Sequence, residues 1–281
     1  MPLKTTNFEN YLKQRRERIN CALDQYLSAA TLEPKRLHEA MRYAVFNGGK
    51  RMRPLLVYTV GETFNANLDA LDIPAGAIEL VHTFSLIHDD LPGMDNDDFR
   101  RGKPSCHKAF DEATAILAGD SLLVLAMQLL SNHHLVSLPT RINLLNTLIK
   151  ASGSLGMAGG QAMDISDTKF TLAQLEQMYI LKTGVLLSAS AQLGALIAEA
   201  HDFLPLLDRY ACALGLAFQI QDDLFDLEEI SKKITYPALV GIEKSQHRIK
   251  ELHEEIITIL HQIPNVEHLI EFTNYIIQRN N

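Results

Sequence analysis

Two clusters of aspartates carry the densest chemistry in this chain. The first is Asp89-Asp90-Leu91-Pro92-Gly93-Met94-Asp95, followed by Asp97 and Asp98, and the second is Asp222-Asp223-Leu224-Phe225-Asp226. Each closes a strongly apolar run, Ala77 to Ile87 and Ala211 to Ile220, and therefore sits at the mouth of a buried site. Carboxylates this dense repel one another and call for a counter-charge. A hard divalent cation supplies it, and Mg2+ suits because it takes oxygen ligands while keeping waters and substrate phosphates in its shell. Asp222 and Asp226 are four apart and share a helix face. Pro92-Gly93 interrupts the first helix, so a turn must bring Asp95 back toward Asp89.

Cations lie beside these carboxylates. Gly48-Gly49-Lys50-Arg51-Met52-Arg53-Pro54 puts Lys50 and Arg53 three apart, on one face if helical; Arg100-Arg101 follows the first cluster; Lys182-Thr183-Gly184 interrupts an apolar helix. A lysine in such a helix needs a partner. Arg offers a planar fork to phosphate oxygens and Lys a point charge, so carboxylates and cations together read as a diphosphate site. Among the histidines, His82 lies seven residues before Asp89 on the same helix face, His88 reads as packing beside Asp89, and His133-His134 reads as a loop. Glu79-Leu-Val-His82 is a lone ExxH, whereas a di-iron bundle needs two with further Glu ligands. No Ser–His or Cys–His constellation is found.

Helices must position these groups. Over the 281 residues helical periodicity dominates and strand-like alternation is scarce. Segments 113–130, 141–157, 184–200 and 207–221 are apolar on most faces, which predicts helices wrapped by others. The expected fold is all-α, a single domain over 1–281 built around a central bundle, with 242–279 as amphipathic outer helices. Prolines at 34, 54, 74, 92, 104, 139, 205, 237 and 264 should mark helix starts, ends or breaks. Net charge −8 argues against nucleic-acid binding. The three cysteines, Cys21, Cys106 and Cys212, are too far apart for a zinc motif and read as core residues of a reducing compartment. Residues 1–20 carry no signal-peptide core. The apolar runs 113–130 and 185–198 read as buried helices, not membrane spans. A cytoplasmic protein is expected.

The strings GGKRMRPLLVY (48–58), SLIHDDLPGMDNDDFRRGKPSCH (85–107), AILAGDSL (115–122), GGQAMDI (159–165), KTGVLL (182–187), GLAFQIQDDLFD (215–226), KITYPAL (233–239) and YIIQRNN (275–281) span nearly the whole chain. On them the sequence resembles the isoprenyl diphosphate synthases, most closely the bacterial farnesyl diphosphate synthases. The resemblance implies an all-α fold around a deep central cavity, a homodimer, and head-to-tail joining of isopentenyl diphosphate to an allylic diphosphate. Asp89, Asp95 and Asp222 resemble the family's magnesium ligands, with Asp90, Asp223 and Asp226 supporting. Lys50, Arg53, His82 and Arg101 match the residues that hold isopentenyl diphosphate. Arg100, Lys182, Thr183, Gln219 and Lys233 match those around the allylic diphosphate, the last four as the candidate catalytic group.

Phe84 and Ser85, five and four residues before Asp89, face the growing tail on this reading. An aromatic at Phe84 accompanies fifteen-carbon products in the family and implies farnesyl diphosphate. Alternatives are a longer-chain, geranylgeranyl-type synthase, a terpene cyclase, for which the second motif should read differently, and a non-catalytic regulatory homologue. One departure stands out. Between Asp226 and Lys233 lie only Leu-Glu-Glu-Ile-Ser-Lys, where the family has a longer loop rich in lysine and glycine; Lys232 would replace its missing lysine in part.

Overall fold

The computed structural model describes residues 7–166, 169–225 and 234–277. The chain is all-α, and it forms two compact units, residues 1–55 with 69–145 and residues 56–68 with 146–281. The first unit carries α1 (Asn7–Tyr26), α2 (Lys35–Phe46), the start of α3 (Met52–Thr63), α4 (Leu68–Asp89), a hairpin of β1 (Phe99–Arg100) and β2 (Lys103–Pro104), α5 (Cys106–Ala109), α6 (Glu112–Ser131) and the start of α7 (Leu138–Ser152). The second carries the remainder of α3 and α7, then α8 (Met157–Asp164), α9 (Leu172–Tyr179), a π-helical turn (Ile180–Gly184), α10 (Val185–Ile197), a 3-10 turn (His201–Phe203), α11 (Leu204–Phe225), α12 (Tyr236–Val240), α13 (Ile242–Leu260) and α14 (Glu267–Ile277).

Local signals set several ends. Asp111 caps α6, its carboxylate accepting from the Thr114 N–H at 2.7 Å, and Thr171 with Gln174 forms a capping box at α9. The small hairpin, unexpected from sequence, turns on Arg101 and Gly102, both left-handed (φ 54° and 76°), as a tight two-residue connection requires. Of the four apolar segments, 113–130 and 207–221 fall inside α6 and α11. The expected 141–157 helix stops at Ser152, and the expected 184–200 helix ends at Ile197 and is entered through the π turn. The amphipathic tail forms α13 and α14, which bury one face each.

Pro74 corrects the proline reading. It lies inside α4 and does not break it. Lacking an N–H, it leaves the Ala70 carbonyl without its helical partner. The fully buried His133 fills the vacancy, Nε2 lying 2.9 Å from the Ala70 oxygen, so the helix bearing His82, Phe84, Ser85 and Asp89 runs unbroken. A donating Nε2–H is compatible with a neutral ring, and burial lowers the His133 pKa below 6.5. The unfolded chain therefore takes up this proton at a higher pH than the folded one. The stabilisation is present above about pH 6.5 and is lost as pH falls through the folded pKa. Wild-type thermal midpoints should drop between pH 7 and pH 5, and less steeply in His133→Gln, whose amide can still donate to Ala70; equal slopes would remove His133 as a cause.

Segments Leu68–Asp89, Glu112–Ser131, Leu172–Ile197 and His201–Phe225 are long and apolar enough to cross a membrane by length and composition alone. In the first and third, 67% of the most apolar window is buried inside the protein, which accounts for its hydropathy as core. For α6 the share is 39%. The expectation that other helices wrap it therefore fails on one face, where Ile116, Leu117 and Val124 are exposed.

Candidate functional site

In the first unit the site residues converge around the end of α4. Asp89 is its last residue, and the Asp95 N–H returns to the Asp89 carbonyl at 2.9 Å. The interruption at Pro92-Gly93 thus folds the cluster into a compact turn. Asp90 is 2% exposed and pairs with Arg100, whose Nε lies 3.0 Å from Oδ1; Arg100 also reaches Asp97 at 3.1 Å. Burial raises the Asp90 pKa, and the Arg100 hydrogen bond opposes it. Arg100 therefore sits beside the carboxylates of the first cluster.

Lys50 would share a face with Arg53 only if both were helical, and Lys50 lies outside the helix. Gly48, Gly49 and Arg51 are all left-handed (φ 90°, 118° and 54°), and α3 starts only at Met52. Lys50 is exposed and precedes the helix, while Arg53 lies in its first turn. Burial pushes the Arg53 guanidinium down to about 10, with Glu79 opposing and Arg101 adding. His82 is lowered well below 6.5 by burial and by Arg53 and Arg101, so the ring is neutral at pH 7. Arg101 Nη1 closes the turn on the Gly48 carbonyl at 2.5 Å. Ser85 bonds its own helix, Oγ to the His82 carbonyl at 2.9 Å. Phe84 meets His88 edge-on, ring centres 4.8 Å apart, and His88 Nε2 lies 3.2 Å from the Ile116 carbonyl.

In the second unit the π turn carries Lys182 and Thr183. It is clasped by two glycines: a Cβ on Gly160 would strike the Lys182 backbone, and one on Gly215 would lie 2.6 Å from Gly184 Cα. Such turns interrupt a helix at a cost and recur at functional sites. Lys182 finds the partner its setting demands in Asp164, Nζ to Oδ2 2.6 Å, and the Thr183 hydroxyl donates to Gln219 Oε1 at 3.1 Å. Asp222 is half-buried in the last turn of α11. Asp223, 9% exposed, accepts at Oδ2 from the Tyr179 hydroxyl at 2.5 Å and from the Tyr236 N–H at 2.7 Å. Burial, with the Asp223 charge, raises the Tyr179 pKa. Asp226, Lys232 and Lys233, with the short segment between them, lie outside the described residues.

Both aspartate pairs sit at helix C-termini, where the negative end of the helix dipole disfavours them. A bound cation would reverse that cost. Among the described residues no three His, Cys, Asp or Glu side chains group closely enough to cage a metal. The donor sets, carboxylate oxygens a few at a time, fit Mg2+, which completes its shell with water and phosphate. Several polar atoms are buried without protein partners, Arg53 Nε, Glu79 Oε2 and both amide atoms of Gln161 among them. Sequence reasoning singled out neither Glu79 as more than half of an ExxH, nor Arg51, Asp164 and Tyr179; a lysine in an apolar helix was the one signal that a partner such as Asp164 had to exist.

Residues 34–270 match the family model described as polyprenyl synthetase. The chain is 40% identical to the farnesyl diphosphate synthase of Escherichia coli, covering 98% of this chain and 99% of the relative. It is 39% identical to the large subunit 1 of the chloroplastic heterodimeric geranylgeranyl pyrophosphate synthase of Arabidopsis thaliana, covering 98% and 80%. The crystal structure of an FPP/GFPP synthase from Zymomonas mobilis superimposes with a TM-score of 0.91 at 39% identity, over 96% of this chain and 99% of that one.

Proposed function

From its membership of the polyprenyl synthetase family, we propose that this chain is a prenyltransferase that condenses isopentenyl diphosphate with dimethylallyl or geranyl diphosphate to give farnesyl diphosphate. The observation that carries this is end-to-end identity of 40% with a curated farnesyl diphosphate synthase, in a chain that retains both aspartate pairs and the cations beside them. The continuous family match from 34 to 270 supports one working domain over 1–281, and the burial of 67% of the most apolar windows of Leu68–Asp89 and Leu172–Ile197 inside the protein supports reading it as soluble and cytoplasmic.

Lys50, Arg53, His82 and Arg101 hold isopentenyl diphosphate. Arg100, Lys182, Thr183, Gln219 and Lys233 surround the allylic diphosphate. Asp89, Asp95 and Asp222 hold Mg2+, with Asp90, Asp223 and Asp226 supporting. The metal supplies positive charge to the departing diphosphate. Arg100 and Lys182 add fixed charge at the same group, and fixed charge aimed at a developing anion lowers the barrier most. The reaction requires that water be kept from the allylic cation. A neutral His82 donates or accepts a hydrogen bond without adding charge.

Purified protein given Mg2+ and both substrates should yield a fifteen-carbon product by chromatography after dephosphorylation. No product from a folded sample would favour the regulatory homologue. A mainly twenty-carbon product would favour the second reading, a geranylgeranyl-type synthase, which the Arabidopsis relative supports. Arg53→Ala should raise KM mainly for isopentenyl diphosphate and Arg100→Ala mainly for the allylic substrate; equal effects of each on both would count against this division.

The exposed face of α6, with Leu138 and Ile142 at the start of α7, supports a homodimer in which a second copy covers it. Exposed apolar patches of this kind mark interfaces. Sedimentation should return a dimer for the wild type and a monomer for Leu117→Glu/Val124→Lys; a monomeric wild type would leave the face unexplained.

A further inference from the structure

Glu79 is 1% exposed on α4, and the guanidinium of Arg51, itself 5% exposed, binds it with Nη1 2.8 Å from Oε1. Arg51 spends its other nitrogens inside the protein as well. Nε donates to Asn20 Oδ1 at 3.0 Å and Nη2 to the Val45 carbonyl at 2.6 Å. No part of it is turned toward a substrate, although it stands in sequence between Lys50 and Arg53. A buried ion pair stabilises a fold no better than apolar residues of similar volume, because desolvation consumes the Coulombic gain. Geometry is what it supplies. Arg51 adopts φ 54° two residues after Gly49 at 118°, which follows Gly48 at 90°; glycine takes such angles freely, but for Arg51 the left-handed conformation is one that a free chain leaves readily. At the other end Arg101 holds the Gly48 carbonyl, and its guanidinium lies so close over Gly49 that a Cβ there would be 2.5 Å from Nη1.

Charge points the same way. Glu79 is the carboxylate that acts on both Arg53 and Arg101, while His82 is neutral. Its second oxygen, Oε2, and Arg53 Nε are both buried with no protein partner. One carboxylate among the guanidiniums of Arg51, Arg53 and Arg101 leaves the cluster net positive. That is enough negative charge to assemble the cations and too little to satisfy them.

We propose that Glu79 is a positioning residue for isopentenyl diphosphate: through Arg51 it locks the Gly48–Arg53 turn, and so fixes Lys50 and Arg53 toward the diphosphate, without touching substrate itself. The inference rests on the assignment of Lys50, Arg53, His82 and Arg101 to that substrate.

Steady-state kinetics on the full-length protein test it. Glu79→Gln keeps the shape and removes the charge. KM for isopentenyl diphosphate should rise by about tenfold or more, as small misplacements of binding groups do, while KM for geranyl diphosphate stays within about twofold. The double variant Arg51→Met/Glu79→Leu replaces the pair with apolar volume. It should recover thermal stability yet keep the raised KM for isopentenyl diphosphate, and it decides the matter should the single variant not fold. Wild-type KM values in the double variant would overturn the proposal, since the pair would then be a packing element only. An unchanged KM in Glu79→Gln beside a raised one in Arg53→Ala would overturn it while leaving the substrate assignment standing. An unchanged KM in Arg53→Ala would remove the assignment and the proposal together.

Discussion

Asp89→Ala and Asp222→Ala should each lower kcat/KM by about three orders of magnitude, on the order of 4 kcal/mol of transition-state stabilisation, and chelation of divalent cations should abolish turnover. The magnitude follows from what these carboxylates do. Each closes a helix on the unfavourable side of its dipole, and on the proposed reading a cation shared with the leaving diphosphate would offset that cost. Removing one carboxylate removes that shared charge where the barrier is decided, so kcat falls, and KM alone does not account for the loss. Chelation in the absence of substrate should leave the thermal midpoint nearly unchanged, because the described residues form no three-ligand cage that would contribute folding energy. Near-wild-type turnover in either variant would sink the assignment of both aspartate pairs to metal.

Phe84→Ala should move the main product from fifteen carbons to twenty or more. The ring stands on α4 five residues before Asp89, edge-on to His88, which is itself backed by the Ile116 carbonyl and by Gly119, where a Cβ would collide with the imidazole. Phe84 thus leans on a neighbour that is itself held in place, which is what the proposed role as a stop for the growing chain calls for. The ring removed is close in size to one isoprene unit, so a cavity at this point admits one further condensation. Chromatography of the dephosphorylated products decides it. An unchanged fifteen-carbon product from an active variant would place the stop elsewhere. Membership of one family by both fifteen- and twenty-carbon synthases at similar identity is consistent with product length resting on few side chains.

The residue types of the site were legible in sequence because they are local: aspartate pairs closing apolar runs, lysine inside an apolar helix, arginines beside glycine turns. The all-α class was legible for the same reason, since a 3.6-residue period is written within a few turns. The turn that returns Asp95 to Asp89 followed from Pro92-Gly93 alone. Local reading failed where the answer lay on another element. Pro74 passes through a helix because a histidine far along the chain repairs it. Whether Lys50 and Arg53 share a helix was open in sequence, and Lys50 stands outside it where Arg101 holds the Gly48-Gly49 turn and Arg51 anchors itself on Glu79 and Asn20. α6 looks like a wrapped core helix by composition, yet one face is bare.

By its own order the sequence determined that this chain is helical and that it carries, beside its aspartate pairs and glycine turns, cations of the types a metal-held diphosphate would need. Tertiary structure alone decided which charges meet: Arg51 with Glu79, Lys182 with Asp164, Arg100 with Asp90, and Asp223 with Tyr179 and Tyr236. The physical reason is range. Propensity and periodicity act between neighbours in the chain, whereas a buried charge takes whichever partner the packing of distant helices brings within hydrogen-bonding distance.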